Sequence, residues 1–148
     1  MSTRRAARER ALGLAYECEQ RNVRGAELVE GLPVPPDEYA QRLVLGVDER
    51  HEEIDAIIAK FSEHWSLERM PVVDRALLRI GTFELGWLPE VPTAVVITEA
   101  VELAKQYSTK DSGRFVNGLL SRIAGVLLAN RIDIIGAQIH SRAAVVPG

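Results

Sequence analysis

A single cysteine, Cys18, stands among 148 residues, so no disulfide can close within the chain and no cysteine-based zinc site can be assembled. Cys18 falls on an apolar helical stripe and reads as a small buried hydrophobe. No apolar run approaches the roughly 18 residues of a membrane span, and the arginine-rich N-terminus has no apolar stretch behind it. The chain therefore reads as cytoplasmic. A G-x-S-x-G elbow, a Walker phosphate loop and a G-x-G-x-x-G turn are also missing, and the lone cysteine has no assigned base. The histidines, His51, His64 and His140, stand apart from one another. His51 follows Asp48 by one helical turn, but the paired Glu-x-x-His motifs of a bundle-type di-iron site are absent, so it reads as a partly buried histidine in a helical stripe. These absences favour binding over catalysis, with no enzymatic activity, metal or cofactor expected.

What is present suits one globular domain. Hydrophobic residues at 47% and charged residues at 26% are ordinary values, and this length can bury a sizeable core. The net charge of −3 conceals an uneven distribution. Residues 1–24 carry +3, residues 25–64 carry −7 and residues 65–148 carry +1. A nucleic-acid binder needs a local basic footprint more than a basic total, so the basic first segment keeps that class open.

Helical spacing runs through most of the chain. Ser2 or Thr3 can cap a first helix with the stripe Ala7, Ala11, Leu14, Ala15 and Cys18. Its neighbouring face sets Arg5, Arg8, Leu12 and Tyr16, with Arg4 and Arg8 one turn apart. Gly25 and Gly31 bracket a short helix at most, and Pro33 to Pro36 form a stiff loop. Asp37 then caps one long helix, or two nearly continuous ones, to about His64, backed by an acidic face that reads as solvated.

A helix after Pro71 carries Val73, Ala76, Leu77, Ile80 and Trp87 on one face, with Leu78 and Leu85 nearly opposite. Apolar on two sides, it belongs in the middle of the protein. A further helix spans about Thr93 to Tyr107. The last begins after the polar run Ser108 to Gly113, where Asp111 or Ser112 can cap it, and continues through Val116, Leu119, Leu120, Ile123 and Leu127. The expectation is all-α, with about six or seven helices. Residues past Arg131 show little amphipathicity, and a packed tail, a strand-like arm and disorder all stay open.

Two candidate sites emerge. Arg4, Arg5 and Arg8 suit RNA phosphate, which arginine grips bidentately. The turn before the last helix offers unpaired N–H groups among Lys105, Lys110 and Arg114, while Phe115, displaced from the core stripe, could stack on an unpaired base. In a purely structural reading Phe115 seals the edge of the core and the arginines form a solvated face. The carboxylates Glu84 and Glu99 are expected to meet Arg75 or Arg79 as ion pairs.

Three blocks carry a resemblance: R-x-P-x-x-D-R-A-x-L-R-I-x-x-x-E-L at Arg69–Leu85, E-A-V-E-L-A-K at Glu99–Lys105, and D-S-x-x-F-V-N-G at Asp111–Gly118. In order and spacing they resemble the NusB family of bacterial transcription antitermination factors. The resemblance reaches back to the first helix and leaves only the segment past about Arg131 unmatched. It implies two packed three-helix bundles within one RNA-binding domain, with subdomains at about 1–64 and 65–130 and a tail at 131–148. It also implies binding of single-stranded boxA RNA from ribosomal transcripts through Arg4, Arg5, Arg8, Lys110, Asp111, Ser112 and Phe115. The protein partner it implies is NusE, a small-subunit ribosomal protein, met by Tyr16, Asp74 and Glu84, within an elongation complex containing other Nus factors. A rival expectation is a helical protein-interaction module or homodimer without direct RNA contact.

Overall fold

The computed structural model describes the backbone of residues 3–63 and 65–145 and the side chains of residues 4–63 and 65–129. His64, the His140 side chain and the expected cap at Ser2 or Thr3 lie outside these limits. The described residues form seven α-helices and one short 3-10 turn, with no strand. The helices are α1 (Thr3–Arg21), α2 (Gly25–Glu30), α3 (Glu38–Glu49), α4 (His51–Phe61), α5 (Val72–Trp87), α6 (Thr93–Tyr107) and α7 (Ser112–Val145), with the 3-10 turn Leu67–Arg69 preceding α5.

Local chemistry accounts for the boundaries. Helix α1 ends because Asn22 takes a left-handed φ of 54°, which lets the Val23 amide reach back to the Cys18 carbonyl in a helix-terminating motif that Asn tolerates well. The Asp37 side chain accepts the Ala40 amide at 3.2 Å and starts α3 as expected. Of the two forms expected for this span the structure takes the second, two nearly continuous helices parted at Arg50 (φ −107°, ψ 18°). The break lets α3 lie on α1 and α5 while α4 lies on α5 and α7. It also leaves His51 exposed rather than partly buried as expected, with Nδ1 3.2 Å from the Asp48 carbonyl oxygen.

Helices α1, α2 and α3 pack on one another, as do α5, α6 and α7, and the two groups meet where α1 and α3 cross α5. Ten of the sixteen residues of α5 are buried, so the helix predicted to be apolar on two faces is indeed the centre of the molecule. On the α3 side, Gly46 lies against the Phe83 ring; a Cβ at Gly46 would fall 2.1 Å from Cζ of Phe83. From α7, Val116, Leu119, Leu120 and Ile123 are all fully buried, and each such side chain contributes about 1.5–3 kcal/mol.

Helix α7 continues through Val145, so the backbone past Arg131 is helical and not the strand-like arm.

Ion pairs join α5 to its neighbours, but not the pairs expected. Arg75 donates to Glu19 on α1 and to the Met70 carbonyl, and Arg79 donates to Asp55 on α4 at 2.8 and 3.1 Å. Glu84 and Glu99 turn instead to the arginines of α1. Cys18 is half-buried, and burial pushes its thiol pKa up. It lines a cavity of about 460 Å³ between α1, α3 and α5.

Candidate nucleic-acid interface

The arginines of α1 divide by depth. Arg8 turns inward, and its guanidinium meets the Glu84 carboxylate with Nη2–Oε2 at 2.7 Å and Nε–Oε1 at 3.0 Å. Arg8 is 3% exposed and Glu84 1%. The Tyr39 hydroxyl donates to the same carboxylate at 2.6 Å, satisfying a third acceptor position. Burial draws the Arg8 pKa down, but the hydrogen bonds and charge of Glu84 outweigh it and the net shift is upward. Burial and the Glu84 hydrogen bond raise the Tyr39 pKa. Arg8 and Glu84, expected to face RNA and a protein partner respectively, instead satisfy each other inside the fold. A charge at this depth requires a partner.

Arg4 and Arg5 stay outside. The Arg4 guanidinium lies 4.9 Å from the centroid of the Tyr39 ring, in cation–π range. Arg5 is exposed and bridges to Glu99 on α6, with Nε 3.0 Å from Oε2. Three turns along the same face of α1, Tyr16 is exposed as well.

The turn between α6 and α7 is built on Asp74, a buried carboxylate in the first turn of α5. The Ser108 hydroxyl donates to Asp74 Oδ1. The Ser112 hydroxyl donates to Oδ2 at 2.8 Å and accepts the Thr109 amide at 3.2 Å. Asp74 and Ser112 are thus supports beneath the turn rather than groups on its surface, which revises the expected partner contact at Asp74 and the expected RNA contact at Ser112. Above them Lys110, Asp111 and Arg114 are exposed. The Asp111 carbonyl accepts the Phe115 amide at 3.1 Å and begins α7. Phe115 is half-buried, its ring 5.6 Å from that of Trp65 and tilted by 47°.

The two regions meet through α6. Arg5, Glu9, Glu99, Glu102, Lys105 and Gln106 surround one shallow cleft of about 280 Å³. The Tyr107 hydroxyl donates to Glu9 across the same seam, and this bond raises the tyrosine's pKa. The Lys105 stem then runs against Gly113, where an added Cβ would sit 3.0 Å from Cγ. Two cations a hundred residues apart, Arg5 and Lys105, therefore line one cleft among carboxylates, and the Lys105 stem adjoins the first turn of α7. Among the described residues, no group of three or more His, Cys, Asp or Glu side chains is placed to hold a metal ion, and no helix is long and apolar enough to cross a membrane.

Residues 5–125 match the model of the NusB family. The chain belongs to the NusB family. It is 47% identical over 132 residues to the transcription antitermination protein NusB of Saccharopolyspora erythraea, covering 85% of this chain and 89% of that protein. Against NusB of Salinispora tropica the identity is 48% over 131 residues, covering 84% and 96%. Among solved structures, T. maritima NusB superposes with a TM-score of 0.75 at 38% identity, covering 84% of this chain and 92% of that one. A chain from the crystal structure of the antitermination factors NusB and NusE in complex with double-stranded RNA does so at 0.71 and 35%, covering 83% and 96%. The NusB match takes in every candidate residue except Arg4, which immediately precedes it.

In this NusB-family chain the ion pair at Glu84 was expected, but its partner Arg8, and the pairing of Asp74 with Ser112, escaped sequence reasoning because a helical wheel shows the angle of a side chain and not what waits beneath it. One signal was available for Glu84: a lone acid between Phe83 and Leu85 on a helix apolar on both sides has to be buried and neutralised.

Proposed function

We propose that this protein is a transcription antitermination factor that binds single-stranded boxA-like RNA of ribosomal transcripts together with NusE. The observation that carries the reading is the shared surface on which Arg5, through Glu99 and the Lys105 stem, adjoins the α6–α7 turn. Arg4, Arg5, Lys110 and Arg114 supply phosphate contacts, and Phe115 supplies an aromatic edge for an unpaired base. Asp111 accepts a base or ribose hydrogen bond or limits affinity by repelling phosphate. Arg8, Ser112, Asp74 and Glu84 act beneath this surface, holding α1 and the turn in place. The exposed Tyr16 belongs to the face that meets NusE, and the assembly joins the elongation complex with other Nus factors in the cytoplasm. The chain acts by tethering RNA and needs no covalent chemistry. Its two subdomains, about 1–64 and 65–130, serve as one RNA-binding domain.

The relatives support this reading by name, and the NusB structure solved with NusE and RNA supports the pairing. The test is a titration of labelled boxA RNA with and without NusE at two salt concentrations. Binding strengthened by NusE and weakened by salt is the expected result. Salt-independent binding, or no binding in either case, overturns the reading.

A further inference from the structure

We propose that Trp65 is a stacking platform for an unpaired RNA base, so that the RNA track continues off the first turn of α7 onto the connection between α4 and α5. The proposal rests on the RNA-binding reading above and adds an element which that reading does not use.

The chain has two tryptophans, and they are placed very differently. Trp87 is half-buried and lies parallel to Phe83, centroids 6.0 Å apart and planes within 13°. Trp65 is 49% exposed, leaving much of a large apolar ring in water, where it forgoes the burial that usually stabilises an aromatic side chain. Its position is nonetheless defined. The Trp65 amide donates to the Ser62 carbonyl at 3.0 Å, and the indole packs at 5.6 Å against Phe115. Phe115 is itself seated against the core. The pair thus forms an aromatic corner whose inner ring is held by the protein and whose outer ring is half open.

The charges beside this corner indicate what would cover it. Lys110 and Arg114, in the turn and the first turn of α7 that carry Phe115, are exposed and enter no ion pair among the described residues. Arg5 and Arg8, by contrast, are each held by a carboxylate. An exposed indole beside uncommitted cations suits a ligand that alternates flat apolar rings with anions, which is the chemistry of single-stranded RNA. A protein surface burying the same corner would have to cover Lys110, Asp111 and Arg114 together, a mixed charged rim surrounding little apolar area. Stacking on Trp65 reads no base edge, so the contact adds affinity with little sequence preference.

The experiment uses the full chain and a short, unstructured boxA-like RNA. With W87F in place, Trp65 is the sole indole, and its emission is quenched as RNA binds. W65A weakens binding roughly 10- to 100-fold and leaves the dependence on salt unchanged, because no cation is lost. W65F retains most of the affinity, and circular dichroism melts confirm that both variants fold. In a scan of RNAs carrying one abasic position each, one position costs the wild-type protein about as much as W65A does and costs W65A nothing further. If W65A binds RNA as tightly as the wild type while that binding remains salt-dependent, the role of Trp65 is refuted and the RNA reading stands. If W65A weakens only the association with purified NusE, the corner is a protein contact and the proposal falls. If the wild-type chain binds no RNA with or without NusE, the parent reading fails and this one with it.

Discussion

The Arg8 guanidinium and the Glu84 carboxylate, 76 residues apart in sequence, meet at 2.7 Å where almost no water reaches either group. Removing one partner strands the other's charge in the core. R8A or E84A is expected to cost about 3–5 kcal/mol in urea unfolding, whereas the double replacement R8M/E84L costs much less because no lone charge remains. Equal losses in the single and double variants would show that packing, not charge, dominates there.

Asp74 supports the α6–α7 turn from below through two serine hydroxyls. D74A leaves those donors unsatisfied and is expected to cost about 1–3 kcal/mol. Amide hydrogen exchange across Thr109–Ser112 should accelerate more than exchange in α3. Uniform acceleration over the whole chain would instead mark Asp74 as a general stability residue with no particular hold on the turn.

Gly46 of α3 makes room for the Phe83 ring of α5. The Cβ introduced by G46A collides with the Phe83 ring at 2.1 Å, and the ring is confined by the core around it. Overpacking of this kind costs about 1–3 kcal/mol. F83L, added to G46A, should recover part of the loss in thermal unfolding, although F83L alone is destabilising.

The hydrogen bond from Arg75 holds the Glu19 carboxyl below its ordinary value of 4.5, against the opposing effect of burial. A depressed folded-state value means that this contribution to stability is fully present above 4.5 and is lost as pH falls through the lower folded value. E19Q should therefore be less stable than the wild type near neutrality, with the difference shrinking in acid. Thermal unfolding between about pH 3 and about pH 7 measures it, and a gap that widens in acid would contradict the assignment.

If RNA phosphates lie along Arg4, Lys110 and Arg114, replacing all three by alanine flattens the plot of log affinity against log salt by about 2, at roughly 0.7 per phosphate contact on a single strand. An unchanged slope would place the phosphates elsewhere.

Much of this was legible in the sequence where periodicity alone decides the outcome. The stripe Val116, Leu119, Leu120 and Ile123 is fully buried, the predicted limits of α6 at Thr93 and Tyr107 are the observed ones, and α5 lies at the centre because it is apolar on both sides. Periodicity failed where an outcome depends on another element. Arg8 looks like Arg4 and Arg5 on a wheel, and only the arrival of α5 at that point of α1 separates them. Asp74 and Ser112 look like surface polar groups until two helices bring them together. The break at Arg50 has no proline or glycine to announce it, and the expected stripe carries its helical register across Arg50 to His51, which the break turns outward.

The depth of Arg8 gives α1 a mechanical character. Arg4 and Arg5, which the proposed function sets against a transcript, stand within one turn of a side chain locked to the central helix, and the Tyr39 ring beside Arg4 is fastened to the same carboxylate. Tension on a captured strand would therefore be carried straight into α5. A helix end otherwise free to peel away under load is riveted one turn behind its grip.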